Sequence, residues 1–310
     1  MTTTSNMPFT PITTPRFQSG AKQRPWRRII GVAAAALVLQ ACSAVKLGYQ
    51  TLPEVSYWWL DGYVDFSATQ KERVKDDLAA LQAWHRKAEL PQIAGLLDQM
   101  SLLAVKDVTA DQICGLVDSV RSRLKAVGAQ AEPSAATLAL TLTPDQLTGL
   151  RKRYDKNNAE YRKEWIDLTP ARRDEKRYKK IVDYAENLYG KLDAPQRESI
   201  RKYVSSGGFD PVYDNERRLR QQREVLRTLE KLQATPDSSL ADARKAIGGL
   251  IDNGFDATDA AGRAHQQQVR RTGCETMAEV QNSTSDTQRA HAVKRLQQYR
   301  QSATELAEKS

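Results

Sequence analysis

A helix-capping residue followed three positions later by glutamine recurs along this chain. Among these strings are Ser67-Ala68-Thr69-Gln70, Thr143-Pro144-Asp145-Gln146, Asp193-Ala194-Pro195-Gln196 and Ser285-Asp286-Thr287-Gln288. The cap side chain accepts from orphan N–H groups of the first turn and the Gln reaches back to the cap's own N–H, so each string marks a helix start. Pro144 and Pro170 add proline at the first helical position, where the missing N–H is no loss. Apolar residues then recur at three- and four-residue spacing: Val74, Leu78, Leu81 and Trp84; Leu147, Leu150 and Tyr154; Val293, Leu296 and Tyr299. No segment alternates β-branched residues as a strand would. The pattern predicts an all-α fold, an irregular bundle of long antiparallel helices. The four Gln lie 76, 50 and 92 residues apart, without the fixed period of a solenoid. Breaks are expected at 127–134 (Gly128, Pro133), 168–170, 205–211 and 234–239.

Ahead of this helical region stand Arg24, Arg27 and Arg28, an 11-residue apolar run from Ile29 to Leu39, and then Gln40, Ala41, Cys42 and Ser43. The run is too short to span a bilayer, which takes roughly 20 apolar residues, but it suits a signal-peptide core. Leu39-Gln40-Ala41-Cys42 resembles the lipobox of bacterial lipoprotein precursors. That resemblance implies cleavage before Cys42 and acylation of its thiol. Several acyl chains at about 0.8 kcal/mol per CH₂ hold a protein almost permanently. Ser43, rather than Asp, implies the outer membrane. The expected organisation is a signal peptide over 1–41 (starting at Met1 or Met7), an acylated tether over 42–48 and a helical, periplasm-facing domain over 49–310.

The whole chain carries +9, but residues 1–41 hold five basic residues and no acid. The remaining 269 residues therefore carry only +4, and a nucleic-acid partner is not expected. Two cysteines remain, Cys114 and Cys274, both within helical patterns. In an exported chain they are expected to pair. Closing a loop of 160 residues stabilises by about 5 kcal/mol in the chain-entropy model. Their separation, with no nearby His, argues against a metal site.

No metalloprotease, nucleophile-elbow, P-loop or dinucleotide-binding motif occurs, so no catalytic residue and no cofactor beyond a lipid on Cys42 is assigned. The most distinctive internal string is Trp84-His85-Arg86 followed by Glu89-Leu90-Pro91. His85 and Glu89 are one helical turn apart, close enough to pair and to do acid–base work; the plainer reading is a core Trp with polar neighbours at a helix end. Residues 151–180 hold 12 basic and six acidic side chains. In the helix after Pro170, Arg173, Arg177 and Lys180 share one shoulder, a candidate contact for an anionic partner. The alternative is a solvated face laced with ion pairs. Arg217, Arg218, Arg220, Arg223 and Arg227 form a second basic helix. The aromatic cluster Tyr49, Tyr57, Trp58, Trp59, Tyr63 and Phe66 suits a membrane interface or a bundle core, and the core is the preferred placement.

With these residues in view, the chain resembles a family of proteobacterial outer-membrane lipoproteins with a helical domain of unknown function. The resemblance rests on the lipobox at Cys42, Tyr49, Trp58-Trp59 to Tyr63, Gln70, Trp84-His85-Arg86, Glu89-Leu90-Pro91, Leu142 to Gln146, and Glu186 to Leu192 with Gln196, where Tyr189 stands in place of the family's frequent Trp. It implies an all-helical anchored protein and no transferable activity. The expected function is a membrane-anchored periplasmic lipoprotein acting as a non-enzymatic scaffold or binding module, its partners the membrane and an anionic envelope component or periplasmic protein. The alternatives are an envelope or cell-wall hydrolase using a carboxylate near His85, or a periplasmic chaperone.

Overall fold

A computed structural model of the chain describes residues 45–206, 208–235 and 237–308. Residues 1–41, Cys42 and the start of the tether lie outside the described residues. Those described are helical, with no strand among them. The helices are α1 (Leu52–Val64), α2 (Ala68–Trp84), α3 (Leu90–Ala104), α4 (Ala110–Ala139), α5 (Pro144–Tyr161), α6 (Pro170–Tyr189), α7 (Ala194–Ser206), α8 (Pro211–Ala234), α9 (Leu240–Phe255), α10 (Ala260–Asn282) and α11 (Asp286–Glu308). Two π-helical turns, His85–Glu89 and Arg162–Ile166, carry α2 into α3 and extend α5.

The four cap-x-x-Gln strings at Gln70, Gln146, Gln196 and Gln288 start helices. Ser67 and Thr143 accept from the N–H of Gln70 and Gln146, and Asp193 and Ser285 do the same for Gln196 and Gln288. A fifth box, Thr109 with Gln112, opens α4. The further role of four of these glutamines is not visible in any one string. Gln70 Nε2 donates to the Thr141 carbonyl at 3.0 Å and to Gln146 Oε1 at 3.3 Å. Gln146 Nε2 donates in return to the Asp65 carbonyl at 3.0 Å and to Gln70 Oε1 at 2.6 Å. Gln196 and Gln288 repeat this: Gln196 Nε2 donates to Ser283 O (3.1 Å) and Gln288 Oε1 (2.9 Å), and Gln288 Nε2 to Lys191 O (3.0 Å) and Gln196 Oε1 (2.9 Å). Each Oε1 also accepts its own cap N–H. Every donor and acceptor of the four carboxamides is thereby used.

The two clasps organise one four-helix arrangement twice. In the first, α1 and α2 form a hairpin, α4 and α5 meet at a corner, α1 packs on α5 and α2 on α4. In the second, α6 and α7 form the hairpin, α10 and α11 the corner, α6 packs on α11 and α7 on α10. Helix α3 is the addition to the first set, and α8 with α9 to the second, so the spacings of 76 and 92 residues differ although the arrangement does not. Helix α11 also packs along α3, through Leu90, Ala94, Ala303 and Leu306.

Two larger apolar cores result. One gathers Tyr178, Val182, Tyr189, Ile200, Val204, Val280 and Leu296 from α6, α7, α10 and α11. The other gathers Ala136, Leu147, Leu150, Leu226, Leu229 and Ile247 from α4, α5, α8 and α9. Beside the first, buried Gln281 accepts from the Tyr189 hydroxyl (2.9 Å) and donates to the carbonyls of Ala104 and Lys106 (both 3.1 Å). Burial pushes the Tyr189 phenol up to about 12. The fold holds the neutral phenol, so this contribution is intact below the ordinary tyrosine value and is lost as pH rises toward 12. Alkaline denaturation titrations are expected to show a stability loss of roughly 2–3 kcal/mol over that interval, absent in Tyr189→Phe.

The breaks at 168–170, 205–211 and 234–239 fall between helices. That at 127–134 does not, because α4 runs through Gly128 and Pro133. A Cβ on Gly128 would lie 2.9 Å from Ile251 Cγ2; the glycine is there for the close approach of α9. The connection after α6 does use a left-handed residue, Gly190 at φ 78°.

Candidate functional site

The His85–Glu89 segment forms a π-helical turn rather than a regular one. His85 and Glu89 share no hydrogen bond or ion pair among the described residues. His85 Nδ1 instead lies 2.9 Å from the Tyr49 hydroxyl, and Arg86 sits over the Tyr49 ring at 5.6 Å. Glu89 is 4 % exposed, with Oε1 3.6 Å from the Arg123 guanidinium and Oε2 without a hydrogen-bond partner among the described residues. Burial lowers the His85 pKa, and Glu89 opposes that shift. Trp84 is half-buried beside them.

A cleft lies elsewhere among the described residues. It has a volume of about 680 Å³ and is lined from α4, α6, α7, the α7–α8 connection, α8 and α10. Neither His85 nor Glu89 lines it. Cys114 and Cys274 stand beside it with their sulfurs at disulfide distance, 2.03 Å, and Cα atoms 5.5 Å apart. The expected pairing is therefore met in geometry, and it fixes α4 against α10. Cys274 packs there with Val108, Ile113 and Ala278.

Five arginines line the cleft, Arg121, Arg177, Arg217, Arg263 and Arg270, against three aspartates, Asp118, Asp214 and Asp256. Two aspartates are already engaged, Asp118 by Arg270 and Asp256 by Arg121. Arg263 is held by the Ala257 and Thr258 carbonyls. Burial raises the Asp214 carboxyl above the ordinary carboxylate range, while Arg217, His265 and Arg177 pull it down. The aromatic lining is Tyr203, Phe209 and Tyr213. The His265 and Tyr213 ring centroids are 4.4 Å apart. A water-accessible space with clustered guanidinium groups and aromatic faces can receive a planar or tetrahedral anion.

The structure divides the basic shoulder of α6. Arg177 turns into the cleft, where its guanidinium stacks on Phe209 at 4.5 Å and donates to the Val204 carbonyl at 2.8 Å. Burial lowers its pKa. Arg173 is half-buried and reaches the Trp165 carbonyl at 3.4 Å. Lys180 is exposed and does not line the cleft. Much of the surrounding 151–180 charge is paired: Arg151 with Glu230, Lys176 with Glu164 and Lys179 with Glu175. Sequence reasoning found Arg177 and Arg217 by charge alone. It did not single out Phe209 or Tyr213, nor join His265 to them, because those residues lie on separate helices.

No curated protein and no solved structure matches the chain. A family model does, over residues 62–244, more than half of the sequence; it is described as a family of unknown function, DUF6279. The match takes in the His85–Glu89 turn, the basic segment and Arg177 to Arg217, and it ends before α10. The chain belongs to the DUF6279 family.

Proposed function

We propose that this protein is a lipid-anchored, periplasm-facing lipoprotein of the outer membrane. In this reading it acts as a non-enzymatic binding module whose cleft takes an anionic group of an envelope component. The observation that carries the reading is the convergence of Arg121, Arg177, Arg217, Arg263 and Arg270 on one aromatic-lined space of about 680 Å³. With three aspartates there, the lining keeps a formal surplus of two positive charges (five minus three), histidine taken as neutral. The cysteine after the apolar run supports the anchoring, and the +4 balance beyond residue 41 supports an anion-specific cleft rather than a generally basic surface. Arg177 becomes the centre of the anionic contact, with Arg217 and Arg263 in place of Arg173 and Lys180.

The test is retention of envelope-extract components by the immobilised protein at low and high salt, compared with Arg177→Gln/Arg217→Gln. Retention is expected to fall steeply with salt and to drop at least tenfold in the variant at low salt. Equal, salt-independent retention by both proteins contradicts the reading. A hydrolase remains the second reading on one observation: Asp214, its carboxyl raised by burial, and His265 both line the same cleft. Release of soluble envelope fragments by the wild type, abolished in Asp214→Asn, would favour it.

A further inference from the structure

The outward face of the first helix points to a second membrane contact besides the lipid. Backbone bonds from Thr51 N to Leu47 O (3.1 Å) and from Val55 N to Thr51 O (3.0 Å) join α1 to a helical lead-in, residues 45–50, through a turn at Thr51. The inner face of α1 is occupied by α2 and α5, and Tyr57 is 2 % exposed there. Among the described residues nothing covers its outer face. Leu47, Trp58 and Trp59 are each more than 60 % exposed, and Val45, Leu52 and Val55 between 42 % and 59 %. At 3.6 residues per turn the four of these on α1, Leu52, Val55, Trp58 and Trp59, fall within about 120° of the helix circumference. The remaining position of that arc within α1 is Gly62, so the arc contains no charge. Lys46 turns away from it to pair with Glu305. For Trp58 and Trp59 the preference for a core placement is thus corrected: the helix has two apolar sides, and α2 and α5 cover only one of them.

We infer that this face lies in the interfacial layer of the bilayer, parallel to the membrane plane. The occupant follows from where the chain is held. Three residues from Cys42 to Val45 span at most about 11 Å, so an acylated Cys42 keeps the start of the helix at the headgroup level. With 13 residues α1 is about 20 Å long, and none of the described helices is long and apolar enough to cross a membrane. An uncharged arc bearing two tryptophans is the composition that settles at the headgroup–acyl boundary. The contact would fix the orientation of the domain, which a flexible lipid tether alone would leave free. The inference rests on the proposed acylation of Cys42.

The test uses the full acylated protein in vesicles of phosphatidylethanolamine and phosphatidylglycerol whose acyl chains carry bromine near the headgroup. Tryptophan fluorescence is expected to be quenched, with more than half of the quenching lost in Trp58→Phe/Trp59→Phe. The unacylated chain, Cys42→Ser, separates the two ideas: it is expected to partition into the same vesicles weakly, and at least tenfold less in Val55→Asp/Trp59→Asp, both exposed positions. If mass analysis shows Cys42 unmodified in the native protein while Cys42→Ser still binds through this face, the anchor reading fails and the face stands. If the acylated protein sits in vesicles with Trp58 and Trp59 unquenched, the inference is overturned. It is equally overturned if Val55→Asp/Trp59→Asp dissolves a dimer and leaves vesicle binding unchanged.

Discussion

Replacing Gln196 with glutamate is expected to cost the fold about 3–5 kcal/mol at pH 7, although the two side chains are nearly isosteric and both satisfy a capping box. Gln196 is 0 % exposed. A glutamate would still accept the Asp193 N–H, but it has no donor for the Ser283 carbonyl or for Gln288 Oε1, which Gln196 Nε2 now serves at 3.1 and 2.9 Å. It would also bury a charge facing two acceptors. The folded state would raise that carboxyl's pKa above the unfolded value, so it would bind more protons than the unfolded chain over the intervening range. Stability of the variant should therefore fall as pH rises through that range and recover on acidification. Gln112→Glu is the control. Its capping box is of the same kind but exposed, its side chain takes part in no clasp among the described residues, and a change within about 0.5 kcal/mol is expected. Urea unfolding of both variants at pH 7 and pH 5 checks the pair of outcomes.

Removing the covalent link between Cys114 and Cys274 is the second large effect. The two cysteines are 160 residues apart, and the chain-entropy relation gives about 5 kcal/mol for a loop of that length. Cys114→Ser/Cys274→Ser should lower the urea midpoint correspondingly. The wild type should move to the same midpoint under reductant, while the variant should not respond to it. The loss should also loosen α4 from α10. Because Cys274 and Ile113 line the cleft, the variant should protect the α4 and α10 amides of that wall less well from hydrogen exchange, with the α1–α2 hairpin little changed.

The fold class was legible because its signals are local. A cap, a Gln three residues on and an apolar stripe each need only one turn of helix to be read, and each of the four strings does start a helix. What local reading misses is that the same carboxamides also join turns 76 and 92 residues apart. The unequal spacing argued against repetition, and the repetition lies in the packing, interrupted by α3 in one set and by α8 and α9 in the other. Gly128 and Pro133 read as a break because glycine and proline weaken isolated helices; here the contact with Ile251 decides otherwise. Trp58 and Trp59 read as core because large aromatics usually are, and only the positions of α2 and α5 show which side of α1 is left open. Arg177 was legible as one of several charges. Its selection over Lys180 depends on the α7–α8 connection that brings Phe209 beneath it.

The central claim, that the cleft receives an anionic envelope component, is tested most directly by crosslinking from inside it. A photoreactive phenylalanine analogue at Phe209, whose ring supports Arg177 in the cleft lining, can be activated in intact envelopes. The account predicts a covalent adduct with a phosphate- or carboxylate-bearing component, diminished by added inorganic phosphate and by Arg217→Gln. An envelope in which Phe209 gives no adduct, while the same analogue at exposed Tyr184 labels its surroundings normally, would contradict it.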